Sequence, residues 1–123
     1  MKKILVIEDN REEWQFIERF FNKAGFKIIE FVDNGREGLQ KVETDSFDLV
    51  IVDTKLPDTD GFEVCSKIKR KQIEDRPRII LMTGFMDAVD ASRARKIGVD
   101  EYCMKSADYY CLVKIAQELL EKE

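Results

Sequence analysis

Five short runs of apolar, largely β-branched residues recur along this chain, and they constrain its fold more than any other feature. Each run is almost continuously apolar, which is typical of strands that are buried on both faces in a parallel sheet covered by helices. The segments between the runs carry apolar residues at helical spacing. The runs are residues 4–7, 28–32, 49–52, 79–82 and 102–104.

Start and stop signals divide the intervening segments into helices. Asn34 and Asp60 stand where N-cap residues are expected, and Gly25 and Gly98 stand where helices should end. The alternation of strand and helix, repeated along the whole chain, predicts an α/β fold with a doubly wound, five-stranded parallel sheet, because parallel strands require crossover helices. Ligands of such a sheet bind outside the carboxyl ends of its strands.

Length and composition limit the classes of protein that this chain can belong to. Its 123 residues predict a single domain over residues 1–123, without an output domain. The net charge of −4 argues against nucleic acid or an anionic membrane as the partner of this domain. No apolar run is long enough to span a bilayer or to form a signal-peptide core, so we expect a cytoplasmic location.

The chain contains no histidine, which excludes imidazole-based triads and most zinc sites. Its chemistry must therefore use carboxylates, amines, hydroxyls or a metal ion. Cys65, Cys103 and Cys111 show no Cys-x-x-Cys spacing, and we expect all three to be buried, reduced thiols.

Five polar residues follow the central strands at their carboxyl ends. Glu8 and Asp9 end the first run, Asp53 the third, Thr83 the fourth and Lys105 the fifth. Three carboxylates in one crevice repel each other unless a cation neutralises them, and hard oxygen ligands of this kind suit Mg²⁺. Lys105 adds a compact positive charge for a phosphate or for Asp53 itself, and Thr83 adds a hydroxyl donor.

This set of groups fits phosphoryl transfer to the carboxylate of Asp53 as nucleophile. Any single acid after a strand is more often a turn or capping residue than a catalytic one. The hypothesis therefore depends on the joint placement of all five residues at one edge of the sheet.

The same residues lie in motifs that resemble those of the response-regulator receiver domain of two-component signalling, over essentially the whole chain. The resemblance implies the flavodoxin-like receiver fold with strand order 2-1-3-4-5. It also implies a phosphorylation-dependent switch that accepts its phosphoryl group from a sensor histidine kinase or a histidine phosphotransfer protein and acts on a downstream protein. The matching segments are residues 4–9, 49–53, 56–61, 79–84 and 100–105.

The family resemblance assigns a role to each site residue. It implies Mg²⁺ bound through Asp9, Asp53 and the backbone carbonyl of Lys55, with Glu8 in support through water. Such a domain catalyses its own phosphorylation and dephosphorylation and does not turn over an external metabolite.

The resemblance also implies a switch between two conformations. Thr83 shifts toward the phosphoryl group and Tyr102 follows, which changes the face built from helix four, strand five and helix five.

The residue after Lys105 departs from the family pattern, and the roles of the residues two past Asp53 and Thr83 are open. Ser106 follows Lys105 where the family usually has a proline after a cis bond, and we expect a strained cis bond here because the position of the lysine is needed. Lys55 and Phe85 lie two residues past Asp53 and Thr83, so Lys55 either reaches over the crevice and affects the lifetime of the phosphorylated form or is merely solvated.

Aromatic residues near both ends of the chain also allow two interpretations. Trp14 either extends the core or forms an exposed docking contact for a histidine kinase. Tyr109 and Tyr110 begin the last helix either as half-buried packing or as part of the output face.

One rival interpretation remains, a receiver-fold adaptor that binds partners without phosphorylation. The intact acidic pair together with Asp53, Thr83 and Lys105 argues against it. Other enzymes and carriers of similar fold fit less well. A haloacid-dehalogenase-type phosphatase needs an aspartate where this chain has Lys55, and a flavodoxin-like carrier needs a phosphate loop where it has acids.

Overall fold

The computed structural model describes residues 1–71 and 76–121, and within them the chain alternates five strands with five helices. The strands are β1 (Lys3–Ile7), β2 (Ile28–Val32), β3 (Leu49–Asp53), β4 (Arg78–Thr83) and β5 (Glu101–Met104). The helices are α1 (Arg11–Lys23), α2 (Gly35–Thr44), α3 (Gly61–Arg70), α4 (Ala88–Ile97) and α5 (Tyr110–Glu121).

All neighbouring strands of the sheet are parallel, in the order β2-β1-β3-β4-β5. The predicted fold class and strand order are confirmed. The register places Ile7 opposite Val52 and Asp53 opposite Met82, so the residues that follow β1, β3 and β4 meet at one edge. None of the helices in the described ranges is both long and apolar enough to cross a bilayer.

The central strands β1, β3 and β4 are apolar on both faces because helices cover both faces. In β3, for example, Leu49 and Ile51 belong to one buried cluster, whereas Val50 and Val52 belong to the other. Buried residues of α1 and α5 complete the first cluster, and those of α2, α3 and α4 complete the second. Near-continuous hydrophobicity is therefore required along each central strand.

The helix signals in the sequence correspond to observed caps. The side chains of Asn34 and Asp60 accept hydrogen bonds from backbone N–H groups in the first turns of α2 and α3. Gly25 and Gly98 follow α1 and α4 with φ of 100° and 90°, which a residue with a Cβ rarely adopts. These predicted starts and stops are confirmed.

The cysteine prediction is confirmed for two residues and wrong for the third. Cys65 and Cys103 are buried, whereas Cys111 is exposed, and all three are free thiols. The buried stripe of α5 runs through Leu112, Ala116 and Leu120. Cys111 lies off that stripe and faces solvent, since only one side of a surface helix can reach the core.

Gly61 fixes the position of α3 against the end of β3. A Cβ at this position would lie 2.0 Å from the backbone carbonyl oxygen of Asp53. The Gly61 N–H also donates a hydrogen bond to the Thr54 carbonyl, with an N–O distance of 2.8 Å. The missing side chain thus lets the first turn of α3 approach the chain segment that carries Asp53.

We predict that Gly61→Ala lowers the free energy of unfolding by about 2 kcal/mol or more, because backbone atoms must move to accept the methyl group. Urea denaturation measures the loss. Gly84→Ala is the matched control, since an added Cβ there meets no heavy atom within 4 Å. Equal unfolding midpoints for the two variants would contradict this account of the α3 position.

Candidate functional site

Three acidic residues meet at the carboxyl edge of the sheet, as the sequence predicts. Glu8, Asp9 and Asp53 each present a carboxylate oxygen, and these oxygens lie within 4.8 Å of one another. Glu8 is fully buried and Asp53 is 6% exposed, whereas Asp9 is open to solvent. The buried acids Glu8 and Asp53 form the floor of a single cleft, and the exposed Asp9 forms its rim.

Lys105 is the cationic residue that contacts the buried acids of this cleft. Its Nζ lies 2.7 Å from Oδ2 of Asp53, 2.5 Å from Oε1 of Glu8 and 3.2 Å from Oε2 of Glu13. The backbone N–H of Lys105 donates to the Thr83 carbonyl, which ties the end of β5 to the end of β4. The structure therefore brings the predicted lysine onto the predicted acceptor, and it adds a fourth carboxylate, Glu13.

The expected cis bond between Lys105 and Ser106 is wrong, because this bond is trans. Without proline the cis form costs about 3 kcal/mol. The trans loop still delivers Nζ to Asp53 at 2.7 Å, so the cost is not needed. The chain departs from ordinary backbone geometry four residues later instead, where Tyr109 has φ of 51°.

Burial and neighbouring charges shift the proton affinities of the site. Burial raises the pKa of Glu8 to about 8, and the nearby Asp53 carboxylate acts in the same direction, although Lys105 and the Asn10 N–H oppose the shift. For Lys105, burial alone would lower the pKa. Its hydrogen bonds to Asp53 and Glu8 outweigh burial and raise the pKa above the usual value. Lys105 is thus charged, and Glu8 is easily protonated.

The hydroxyl of Thr83 is near the cleft but is engaged with its own loop. Its Oγ1 donates to the Phe85 carbonyl at 2.8 Å and accepts from the Phe85 N–H at 3.2 Å. It also lies 3.2 Å from Oγ1 of Thr54. Thr83 is therefore placed at the predicted strand end, with its hydroxyl turned toward residue 85.

Tyr102 lies beside this loop with its ring 6.3 Å from that of Phe62. Its hydroxyl is buried and has no hydrogen-bond partner within residues 1–71 and 76–121. A buried hydroxyl without a partner is costly, and a shift that satisfies it is correspondingly favourable.

Lys55 contributes its backbone to the site in this structure. Its N–H donates to Oδ1 of Asp53 at 3.0 Å and so orients the carboxylate, while its side chain is exposed. The structure thus agrees with the solvated alternative for the side chain. Its effect on the lifetime of a phosphorylated form, and the carbonyl as a metal ligand, stay predictions.

Trp14 supports the acidic floor. Its ring stacks on Phe31 with a centroid distance of 5.2 Å, and its Nε1 donates to the Glu8 carbonyl at 2.8 Å. The residue is only partly exposed. Of its two interpretations, the structure supports core extension, with a hydrogen bond that the apolar pattern alone does not reveal.

Sequence reasoning missed the contribution of Glu13 and Tyr109 to the cleft. The Tyr109 hydroxyl donates to Oε1 of Glu13, whose other oxygen contacts Lys105. An acid in the first turn of a helix is usually interpreted as stabilising the helix dipole, so the sequence does not reveal the contact of Glu13 with Lys105. Tyr109 is buried and Tyr110 is 64% exposed, so the two tyrosines divide between the predicted alternatives of packing and open surface.

The donor set of the cleft fits a hard divalent cation. The three clustered groups are all carboxylates, and water can reach Asp9. Mg²⁺ prefers oxygen ligands, uses one or two carboxylates and keeps several waters. The cleft has a volume of about 650 Å³, which leaves room for a phosphoryl group beside the ion.

Comparison with known proteins identifies the class of this fold and site. The family model of the response regulator receiver domain matches residues 4–117. This chain therefore belongs to the response-regulator receiver family, whose members act in two-component systems. The family and the observed cleft are consistent with phosphorylation-dependent signalling.

The curated relatives are transcriptional regulators of greater length. The transcriptional activator protein IrlR of Burkholderia pseudomallei is 29% identical over 120 residues, which cover 98% of this chain and 51% of that protein. The uncharacterized transcriptional regulatory protein YclJ of Bacillus subtilis is 38% identical over 103 residues, which cover 84% and 44%. The chain spans about half the length of the curated relatives it matches.

Solved structures show the same architecture. The response regulator TrrA of Thermotoga maritima, in complex with Mg²⁺-BeF, has a TM-score of 0.85 at 29% identity, with 97% of this chain and 99% of that chain covered. A CheY-like receiver domain from Methanospirillum hungatei has a TM-score of 0.84 at 28% identity, with 98% and 95% covered.

We predict that Glu8→Gln stabilises the metal-free protein increasingly as the pH rises from about 4.5 to about 8. In this window the unfolded chain ionises Glu8 while the folded chain keeps the proton, so ionisation favours unfolding of the wild type. The variant lacks this penalty, and its advantage should reach about 1 kcal/mol or more at pH 8.

Urea denaturation at several pH values in the presence of a chelator measures this difference. Glu12→Gln, which changes an exposed acid in the first turn of α1, is the control and should show no such trend. A difference between Glu8→Gln and wild type that is independent of pH would refute the raised pKa.

Proposed function

We propose that Asp53 accepts a phosphoryl group in a Mg²⁺-dependent reaction and that this domain is the switch that the group controls. Receiver domains of response regulators receive phosphate from histidine kinases. The observation that carries the proposal is the contact of 2.7 Å between Lys105 Nζ and Asp53 Oδ2, in a cleft where three carboxylates converge. A carboxylate that lies beside both a lysine ammonium and a potential metal site is arranged for phosphoryl transfer.

The transfer moves one phosphoryl group from a phosphohistidine donor, on a sensor histidine kinase or a histidine phosphotransfer protein. An oxygen of Asp53 forms a bond to phosphorus, the P–N bond of the donor breaks, and the electron pair returns to the imidazole. Asp9, Asp53 and the Lys55 carbonyl, with Glu8 in support, would hold Mg²⁺, which when bound would supply positive charge to neutralise the transferring group. The domain is thus catalyst and substrate together.

Lys105 and Thr83 act on the phosphoryl oxygens. The Lys105 ammonium turns from the Glu8 and Asp53 carboxylates to one phosphoryl oxygen as that oxygen becomes available. Thr83 exchanges its bond to the Phe85 carbonyl for a bond to another. The loop of residues 84–86 then loses an internal hydrogen bond and can move.

Movement of this loop changes the surface formed by α4, β5 and α5. Tyr102, whose hydroxyl has no hydrogen-bond partner among the described residues, lies in β5 next to the loop and can follow Thr83. Large apolar side chains already stand exposed on this surface, and we propose that it contacts a downstream protein. The exposed apolar side chains are Phe85, Val89, Met104 and Tyr110.

The location of the domain and the kind of partner it binds are also part of this proposal. We propose a cytoplasmic domain that contacts proteins, with neither nucleic acid nor membrane as its own ligand, in accord with a net charge of −4. We also propose that the chain forms one domain, since within residues 1–71 and 76–121 a single sheet carries one buried cluster on each face.

We predict that incubation with acetyl phosphate and Mg²⁺ adds the mass of one phosphoryl group to the wild type and none to Asp53→Asn. Intact-protein mass spectrometry measures the product. The reason is that one oxygen of Asp53 contacts Lys105 while the Lys55 N–H orients the other. Asp53 also retains some exposure, whereas Glu8, which also contacts Lys105, is fully buried.

Asp33→Asn is the matched control, because Asp33 also follows a strand but pairs with Arg11 outside the cleft. It should be phosphorylated like the wild type. A wild type that gains no phosphoryl mass would favour the adaptor that works without phosphorylation, and omission of Mg²⁺ should prevent the reaction.

A further inference from the structure

Glu13 is a further carboxylate partner of Lys105, beside Glu8 and Asp53, and it is itself bound by Tyr109. Oε2 of Glu13 lies 3.2 Å from Lys105 Nζ, and Oε1 of the same carboxylate accepts a hydrogen bond from the Tyr109 hydroxyl. The chain Lys105–Glu13–Tyr109 joins the end of β5, the first turn of α1 and the start of α5. One carboxylate therefore bridges three elements at the lysine.

Tyr109 is a rigid anchor for this bridge. It is 6% exposed, and its ring lies 6.4 Å from that of Phe20 in the core. Its N–H donates to the Ser106 carbonyl and its carbonyl accepts from the Val113 N–H. A φ of 51° is uncommon for a residue with a Cβ, and the surrounding contacts hold the backbone there.

Lys105 requires such support because of its location. Its side chain is flexible, and the three residues that follow it are exposed, so the loop after β5 gives the lysine little support. The Lys105 backbone is held by its N–H bond to the Thr83 carbonyl, so the position of Nζ depends on side-chain contacts. Two of its three partners, Glu8 and Asp53, belong to the proposed metal and phosphoryl chemistry. Glu13 is the partner that stays free to hold the ammonium when those two are engaged.

We propose that Glu13, oriented by the Tyr109 hydroxyl, is a positioning residue that directs Lys105 toward the phosphoryl group on Asp53. This inference rests on the proposed phosphorylation of Asp53. Tyr109 acts through Glu13, and Glu13 acts through Lys105, without contact between either residue and the transferred group. The bridge fixes the direction of the lysine through a carboxylate other than the acceptor.

The experiment compares initial rates of phosphorylation by acetyl phosphate at saturating Mg²⁺, measured by intact mass. Tyr109→Phe removes one hydroxyl and keeps the ring and the backbone. Glu13→Gln keeps the shape of the side chain and removes its charge. Each variant should react at least about threefold more slowly than the wild type, since misplacement of a catalytic group lowers the rate steeply.

Neighbouring positions supply matched controls. Tyr110→Phe alters the exposed tyrosine next to the anchor, and Glu12→Gln alters the exposed acid next to the bridge. Both should react at the wild-type rate. Urea denaturation confirms that each variant is folded, and Glu13→Gln tests the proposal independently if Tyr109→Phe is unstable.

A background without the lysine separates positioning from a general structural effect. In Lys105→Met, addition of Tyr109→Phe or Glu13→Gln should cause no further loss of rate, because both act through the ammonium. A merely structural contact would slow the reaction equally in both backgrounds.

The affinity for Mg²⁺, followed by fluorescence of the single tryptophan next to Glu8, should stay unchanged in Tyr109→Phe.

The outcomes distinguish this inference from the proposed function. A wild type that is never phosphorylated defeats the proposed function itself. Phosphorylation of the wild type with equal rates in Tyr109→Phe and Glu13→Gln overturns the positioning role alone. Equal losses with and without Lys105 overturn it as well.

Discussion

The acidic edge of this sheet depends on the ion pairs that the Lys105 ammonium makes with Glu8 and Asp53. Glu8 and Asp53 are almost completely removed from water, and two such carboxylates destabilise a fold unless a cation or a proton compensates them. Lys105 reaches both within 2.7 Å, and burial makes Glu8 easy to protonate. The fold therefore tolerates a site whose charges are incompletely balanced, and this is the condition under which a divalent cation binds well.

The same imbalance explains how a local chemical change can reach a distant surface. In the proposed mechanism, a phosphoryl group on Asp53 would offer new acceptors to Lys105 and Thr83, each of which now has other partners. The Tyr102 hydroxyl is buried and has no hydrogen-bond partner in the part of the chain that the structure describes, so this hydroxyl would gain from a rearrangement of the nearby loop. On this account the switch is an exchange of hydrogen-bond partners that propagates along β4 and β5.

The sequence predicted the architecture well because each strand and each helix boundary carries its own local signal. Continuous apolar runs mark strands covered on both sides, and Asn34, Asp60, Gly25 and Gly98 mark helix ends. The site residues at the strand ends followed from topology. What the sequence could not supply were side-chain contacts between distant elements, such as Glu13 with Lys105, since they depend on side-chain reach in three dimensions. The cis bond was wrong because the position of the lysine was treated as a backbone requirement, whereas side-chain contacts fix it. The exposure of Cys111 likewise depends on which side of α5 meets the core.

The most direct test of this account is a crystal structure with Mg²⁺ and beryllium fluoride, a mimic of the phosphoryl group. The account predicts the fluoride adduct on Asp53, Mg²⁺ on Asp9, Asp53 and the Lys55 carbonyl, and Lys105 turned to a fluorine atom while it keeps Glu13. An adduct or a metal ion bound away from Asp53, or Lys105 still bound to Glu8 with no contact to the adduct, would contradict it.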